Sequence, residues 1–206
     1  MNKIGAVVFL CLCLLLVNCG GGGSSGTLMV QQSSAIPFEQ LGFVADRTDG
    51  IAGIRITGYS GIGGALVIQR EINRIPIRFI GEGAFNGKKL FSVTIPDSVV
   101  IIGSNAFASN IITSITIPNS VTTIGSSAFS GNLLTGVTIP NSVKTIGDYA
   151  FSGNLLTSIT IGSNVEFGGG GYSDSDAFPK EFVNAYNGVA GTYTRPDVNS
   201  TTWTKK

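Results

Sequence analysis

The chain has 206 residues, a formal net charge of +1, no histidine, and cysteine only at Cys11, Cys13 and Cys19. Catalytic triads built on His, a Cys nucleophile beyond position 19, and zinc sites of His or Cys are therefore excluded. Removing residues 1–18 takes away Lys3 and leaves 12 basic and 12 acidic residues. Zero net charge points away from nucleic acid as a partner.

At the N-terminus, Lys3 precedes an uncharged apolar run from Ile4 to Val17. The run is too short to span a membrane as a mature helix and reads as the core of a signal peptide covering residues 1–18. Leu16-Val17-Asn18-Cys19 resembles the lipobox of bacterial lipoproteins, with Asn18 where that box usually has a small residue. The resemblance implies cleavage before Cys19, acylation of Cys19, and the membrane as a partner through that lipid. Its expected location is the bacterial cell envelope, at the outer membrane or cell surface. Several acyl chains anchor a protein stably where one is marginal. Residues 19–37, with Gly20 to Gly26 interrupted only by Ser24 and Ser25, then read as a flexible tether. No thiol follows Cys19, so the mature chain forms no internal disulfide.

Residues 38–79 read as an N-terminal cap with a degenerate repeat. Gly53 to Gly58 and Ala65 to Gln69 are expected as strands joined by a Gly-rich turn. Gly58, Gly61, Gly63 and Gly64 imitate a phosphate loop only superficially, because Leu66 takes the place of the last glycine in G-x-G-x-x-G. They read as turn residues.

Residues 80–165 carry a strict 22-residue period. Ile80, Ile102, Ile124 and Ile146 keep it, as do Phe85, Phe107, Phe129 and Phe151. Repetition at that spacing means a solenoid. In the unit Leu133 to Asn154, Val137 and Ile139 alternate with Gly136 and Thr138, which gives a short strand with its apolar pair inward. Pro140 ends that strand, having no N–H to give a neighbour. Asn141 and Ser142 turn the chain, Val143 and Ile146 re-enter the core, and Gly147 permits a bend. Ala150-Phe151 are expected on a helical or 3₁₀ turn on the far side. Asn110, Asn132 and Asn154 are expected to form a ladder of amides satisfying backbone groups, with Lys88 in the first repeat's equivalent place. The phenylalanines read as one aromatic spine.

The blocks Val93-Thr-Ile-Pro-Asp-Ser-Val99 and Ile102-Gly-Ser-Asn-Ala-Phe107, with their three echoes, resemble BspA-type leucine-rich repeats of treponemal and other bacterial surface proteins. The likeness extends to Ile56-Thr-Gly-Tyr-Ser-Gly-Ile-Gly-Gly64, Ala190-Gly-Thr-Tyr-Thr-Arg195 and Thr202-Trp-Thr204. It implies an α/β solenoid of right-handed repeats, with parallel strands on one face and short helical or 3₁₀ turns on the other. It also implies an adhesin or interaction protein.

Residues 166–206 read as the C-terminal cap, since a terminal repeat must cover a side with no neighbour. Gly162 replaces the strand-ending proline, and Phe178 arrives five residues late. Pro179 to Asn187 reads as a short helix with Phe182, Val183 and Tyr186 on one side and Gly188 as its stop. Tyr193 and Trp203 flank a turn at Pro196-Asp197 and suggest a capping hairpin.

Three surfaces are candidates for recognition. Ser92, Thr94, Ser114, Thr116, Thr138, Ser158 and Thr160 would line the strand face with hydroxyls, suited to a surface or host protein or glycan. Thr is equally at home on any exposed strand. Arg55, Arg70, Arg74, Arg78, Lys88 and Lys89 give residues 55–89 a net charge of +4, a basic patch fitted to sulfated glycan or acidic protein. Residues 166–197 carry −3, so the ends are oppositely charged and weak self-association is open to the chain. Asp174 and Asp176 fall short of the six to eight oxygens that calcium takes, so no metal and no cofactor is expected. The absence of histidine and of later cysteine argues against an enzyme, and the two resemblances together imply a non-enzymatic cell-surface lipoprotein that acts as an adhesin or as a protein or glycan interaction module. The alternative is a structural envelope lipoprotein that self-associates through its charged ends.

Overall fold

The computed structural model describes residues 38–168 and 178–206, which lie in the second of the chain's two units, Ser33–Lys206. The expected signal peptide, the whole tether from Cys19 to residue 37, and the Asp174 and Asp176 loop lie outside the described residues. After a 3₁₀ turn at Phe38–Gln40, β1 (Leu41–Thr48) and β2 (Ile51–Tyr59) form an antiparallel hairpin. β3 (Gly64–Val67), β4 (Glu71–Ile72) and β5 (Ile75–Ile80) complete the N-terminal cap. The repeats contribute β6 (Leu90–Thr94), β7 (Ile101–Ile102), β8 (Thr123–Ile124), β9 (Gly136–Ile139), β10 (Thr145–Ile146) and β11 (Ser158–Ile161). β12 (Glu166–Phe167), helix α1 (Lys180–Tyr186), β13 (Gly191–Thr194) and β14 (Thr204–Lys205) close the C-terminal end.

Each coil meets its neighbours along two lines. One runs in the order β1-β2-β5-β7-β8-β10-β12, parallel from β2 onward. The other is the expected strand face. There β3 pairs β6 and β9 pairs β11 in parallel, and β13 and β14 extend the sheet antiparallel. Between β6 and β9, residues 114–117 form no strand, although Ile111 N donates to Leu90 O and Leu133 N to Ile112 O, each at 2.9 Å. β1 was not expected from the hydrophobic pattern. Its partner is fixed by Asp49-Gly50, whose φ values of 51° and 78° make the two-residue turn that such hairpins favour.

The helical or 3₁₀ turns expected around Ala-Phe are short ones, the N–H of Ser152 reaching Tyr149 O at 3.0 Å across Ala150-Phe151. Ala84, Ala106, Ala128 and Ala150 N–H groups each reach a carbonyl three residues back, at 3.2–3.3 Å. Gly83, Asn105, Ser127 and Tyr149 then adopt φ of 54–60° in successive coils. A left-handed residue in every coil stops a helix from propagating.

Burial follows the sequence period. Phe85, Phe107, Phe129 and Phe151 are fully buried and stack with centroids 5.2, 5.4 and 5.3 Å apart. Tyr59 joins at one end (5.6 Å) and Phe178 at the other (4.8 Å), so the late phenylalanine regains its place on the spine. Beside the spine, Asn132 Nδ2 donates to Phe129 O of its own coil and to Phe107 O of the previous one, both at 3.0 Å. Its Oδ1 accepts from Ile112 N at 3.1 Å. Asn110 and Asn154 repeat the arrangement. Each amide thus ties two coils together through otherwise buried backbone groups.

Gly147 serves close approach rather than a bend. It lies outside the positive-φ residues, but a Cβ there would stand 2.4 Å from Ser126 N in the coil before. At the C-terminal end, Phe182 on α1 is buried among Phe178, Tyr193 and Trp203 rings at 4.9–5.5 Å. Asn187, with φ of 41°, and Gly188 end the helix.

Truncating Phe129 to Ala is expected to cost about 3–5 kcal/mol in urea unfolding, from lost burial and the cavity left behind. Asn132→Ala is expected to cost about 3 kcal/mol, because several buried backbone groups lose their partner at once. A loss below about 1 kcal/mol in either variant would contradict the account of how the coils are joined.

Candidate recognition face

The strand face places the hydroxyls in register because successive coils pair like residue with like. Ser158 stands opposite Gly136 and Thr160 opposite Thr138. Ser92, Thr94, Ser114, Thr116 and Thr138 are exposed, while Ser158 and Thr160 are half-buried. The difference comes from β13, which lays Thr194 against Ser158 and Thr192 against Thr160, with the two Oγ1 atoms of the latter pair 2.9 Å apart. The sheet then continues to Thr204, opposite Thr194. Thr192, Thr194 and Thr204 therefore prolong the hydroxyl rows beyond the repeats. Their signal in the sequence is the alternation around buried Tyr193, obscured because the segment lies beyond the strict period. At the other end the rows finish on Ala65 and Val67, opposite Ser92 and Thr94.

A groove of about 510 Å³ opens at the C-terminal ends of three successive coils. Thr116, Thr138 and Thr160 form one side and Asn119, Asn141 and Gly162 the other, with Ile117, Ile139 and Ile161 at the base. Among the described residues, the side chains of Thr116, Thr138, Asn119 and Asn141 make no hydrogen bond. Elsewhere in the coils hydroxyls are used internally: Ser98 Oγ donates to Arg70 O at 2.9 Å, Ser120 Oγ to Val99 O at 2.6 Å, and Thr122 Oγ1 to Val100 O at 3.3 Å. The groove thus separates hydroxyls available for a ligand from those that hold the fold. From the sequence Asn141 reads as a turn residue, and Asn119 is its counterpart one period earlier. Their signal was the Pro-Asn pair recurring one period apart.

Ile111, Leu133 and Leu155 form a second feature missed from the sequence. They lie one period apart at the N-terminal ends of the strand positions and are 48%, 43% and 44% exposed. Phe91, in β6, is also exposed.

The six cations are distributed rather than gathered. Arg55 is half-buried, bonded to Asp46, and its guanidinium lies 4.8 Å from the Phe79 ring centroid. Arg70 and Arg78 share one region, Arg70 Nη1 lying 3.3 Å from Asp97 Oδ1 and Arg78 Nη1 donating to Ser98 O at 3.3 Å. Arg74 is exposed at the turn between β4 and β5, with φ of 65°. Lys88 and Lys89 precede β6, at the opposite end of that strand from Asp97. Desolvation acts to raise the Asp46 pKa, but hydrogen bonds from Arg55 and Thr48, with the Arg55 charge, outweigh it and hold the carboxyl below its ordinary value. Among the described residues, no three His, Cys, Asp or Glu side chains converge as metal ligands would.

The model of the BspA type leucine rich repeat region matches residues 70–176 in six copies, more than half of the chain. The chain belongs to that family. No curated protein matches. Among solved structures, the chain resembles the leucine rich repeat protein of T. pallidum, at 28% identity and a TM-score of 0.45, over 57% of this chain and 66% of that one. It also resembles a leucine rich cell surface protein of Faecalibacterium prausnitzii, at 25% identity and a TM-score of 0.45, over 63% of this chain and 43% of that one. A leucine-rich repeat protein of Bacteroides ovatus matches at 22% identity and a TM-score of 0.39, over 56% of this chain and 38% of that one. The chain therefore spans less than two thirds of the length of each of these proteins.

A carboxylate with a depressed pKa stabilises the fold above its unfolded pKa and loses that contribution as pH falls through its folded value. The difference in melting temperature between the parent and Asp46→Asn is expected to hold steady from pH 7 to about 5 and to close on further acidification, as the pH falls through the depressed pKa of Asp46. A difference that widens in acid would contradict the pairing with Arg55.

Proposed function

We propose that this chain is a non-enzymatic interaction module, carried at the bacterial cell surface on a lipid attached to Cys19, and that it binds ligands through the strand face. The observation that carries this reading is the division of labour among its polar groups. Asn110, Asn132 and Asn154 are committed to the backbone between coils, whereas Thr116, Thr138, Asn119 and Asn141 border an open groove without internal partners. Membership of the leucine-rich-repeat family supports a role in binding rather than catalysis.

The face is small. Seven strand positions, counting residues 114–117 and the two C-terminal strands, at about 4.8 Å spacing and roughly 17 Å length, give at most about 600 Å². A standard interface takes about 800 Å² from each partner. One copy therefore binds weakly, and many copies anchored in one membrane bind by avidity.

A second reading, self-association, is favoured by β1. It ends its sheet with an eight-residue edge on which Phe43 and Val44 are exposed. Unpaired edges of this kind accept another strand.

Residues 27–206 are expected to bind a soluble matrix protein or sulfated glycan with micromolar or weaker affinity, and a bead carrying many copies about 100-fold more strongly. Nanomolar binding by the monovalent fragment through the strand face would contradict this. Charge reversal at Arg70, Arg74 and Arg78 tests the basic patch as a contributor. Sedimentation of the same sample tests self-association, for which oligomers formed without ligand are the expected sign. Anchoring is tested by fatty-acid labelling, which is expected to be lost in Cys19→Ser, and surface display by protease access on intact cells.

A further inference from the structure

We infer that the groove at the C-terminal ends of the strands binds an uncharged polysaccharide, one sugar unit to each coil. The inference rests on the strand face being the recognition surface and names its ligand. Its first support is charge. The groove is lined by Thr, Asn, Ile, Pro and Gly, with no acidic or basic residue among them. Lys144, which reaches this region, has its ammonium 3.4 Å from the Asn141 carbonyl. An anionic ligand would lose water here and find a single ammonium, that of Lys144, beside the groove to offset the loss.

The second support is the chemistry of the free groups. Each hydroxyl of Thr116 and Thr138 both donates and accepts, and each amide of Asn119 and Asn141 offers two donors and an acceptor. Neighbouring sugar hydroxyls supply the complementary mixture. The isoleucine base and the Pro140 ring offer apolar contact to the C–H faces of a pyranose.

The third support is translation. Thr116 and Thr138, and Asn119 and Asn141, are the same groups moved by one coil, at a strand spacing of about 4.8 Å. A pyranose unit is comparable in length. An extended peptide laid across the strands would repeat its side chains every two residues, about 6.7 Å, and fall out of step after one coil. The coil spacing thus matches the advance of a sugar chain by one unit. Thr160, already bonded to Thr192, and Gly162, buried where the earlier coils have proline, mark its closed end.

The experiment is a titration of ¹⁵N-labelled residues 27–206, which contain the whole compact unit Ser33–Lys206. The probes are linear hexasaccharides of β-1,4-linked glucose and of β-1,4-linked N-acetylglucosamine, their disaccharides, a heparin hexasaccharide, and gelatin. A neutral hexasaccharide is expected to shift the amide signals of Thr116, Asn119, Thr138 and Asn141. It should bind at least about tenfold more tightly than its disaccharide and be indifferent to salt. Combining Thr138→Val with Asn141→Ala is expected to weaken binding at least about tenfold. Both residues are exposed, and an unchanged urea midpoint confirms that the variant is folded. If neither neutral saccharide moves these signals at millimolar concentration while heparin or gelatin does, the polysaccharide assignment is overturned and the recognition reading stands. If no probe moves any signal of the strand face, both are overturned.

Discussion

Contact between equivalent residues of successive coils is the constraint on which this molecule depends. A single coil has two open flat sides, and ordering its 22 residues costs on the order of 1.5 kcal/mol each. The stacked rings from Phe85 to Phe178 supply apolar contact across those sides, at centroid distances of 4.8–5.4 Å. The asparagine amides supply register, since each bonds carbonyls of two phenylalanines one period apart. Close approach of the backbones follows, and a Cβ at Gly147 would already collide with the coil before it. Interiors packed to this density tolerate little change. The period is kept strictly where these contacts occur and relaxed where they end.

What the sequence revealed divides along the same line. Residues constrained by contact between coils announced themselves by recurrence, so the phenylalanine spine, the asparagine ladder and the inward positions Val137 and Ile139 were legible. Residues shaped by local conformation were less so. A helical or 3₁₀ turn is expected near Ala150-Phe151, and the turn found is a short one that the left-handed φ of 59° at Tyr149 keeps from lengthening. The apolar and small residues there are compatible with either conformation. β1 was missed because its exposed side chains carry no burial pattern, although Asp49-Gly50 is a hairpin signal. The late Phe178 looked like a break in the period, yet its ring resumes the stack.

The candidate site shows a further limit. Hydroxyl rows were legible because strand alternation decides which residues face outward. Whether a given hydroxyl is spent on the backbone was not, because that depends on the coil beside it: Thr122 Oγ1 bonds Val100 O, while Thr138 remains available in the groove. Nor does summed charge locate a patch. Arg55 and Asp46 are bonded across the hairpin, and Lys88 and Lys89 stand a strand's length from Arg70. A fold that spends its regular residues on self-contact leaves only a narrow face free of it.

The most direct test of this dependence is the unfolding of two internal deletions. Removing residues 111–132 takes out one full period and joins Asn110 to Leu133, the same junction that Asn132 makes with Leu133. Removing residues 113–132 deletes fewer residues and breaks the register. The account predicts that the larger deletion retains a cooperative urea transition and β-rich circular dichroism, with somewhat lower stability, while the smaller deletion loses both. Equal behaviour of the two proteins, or a folded state only for the smaller deletion, would contradict it.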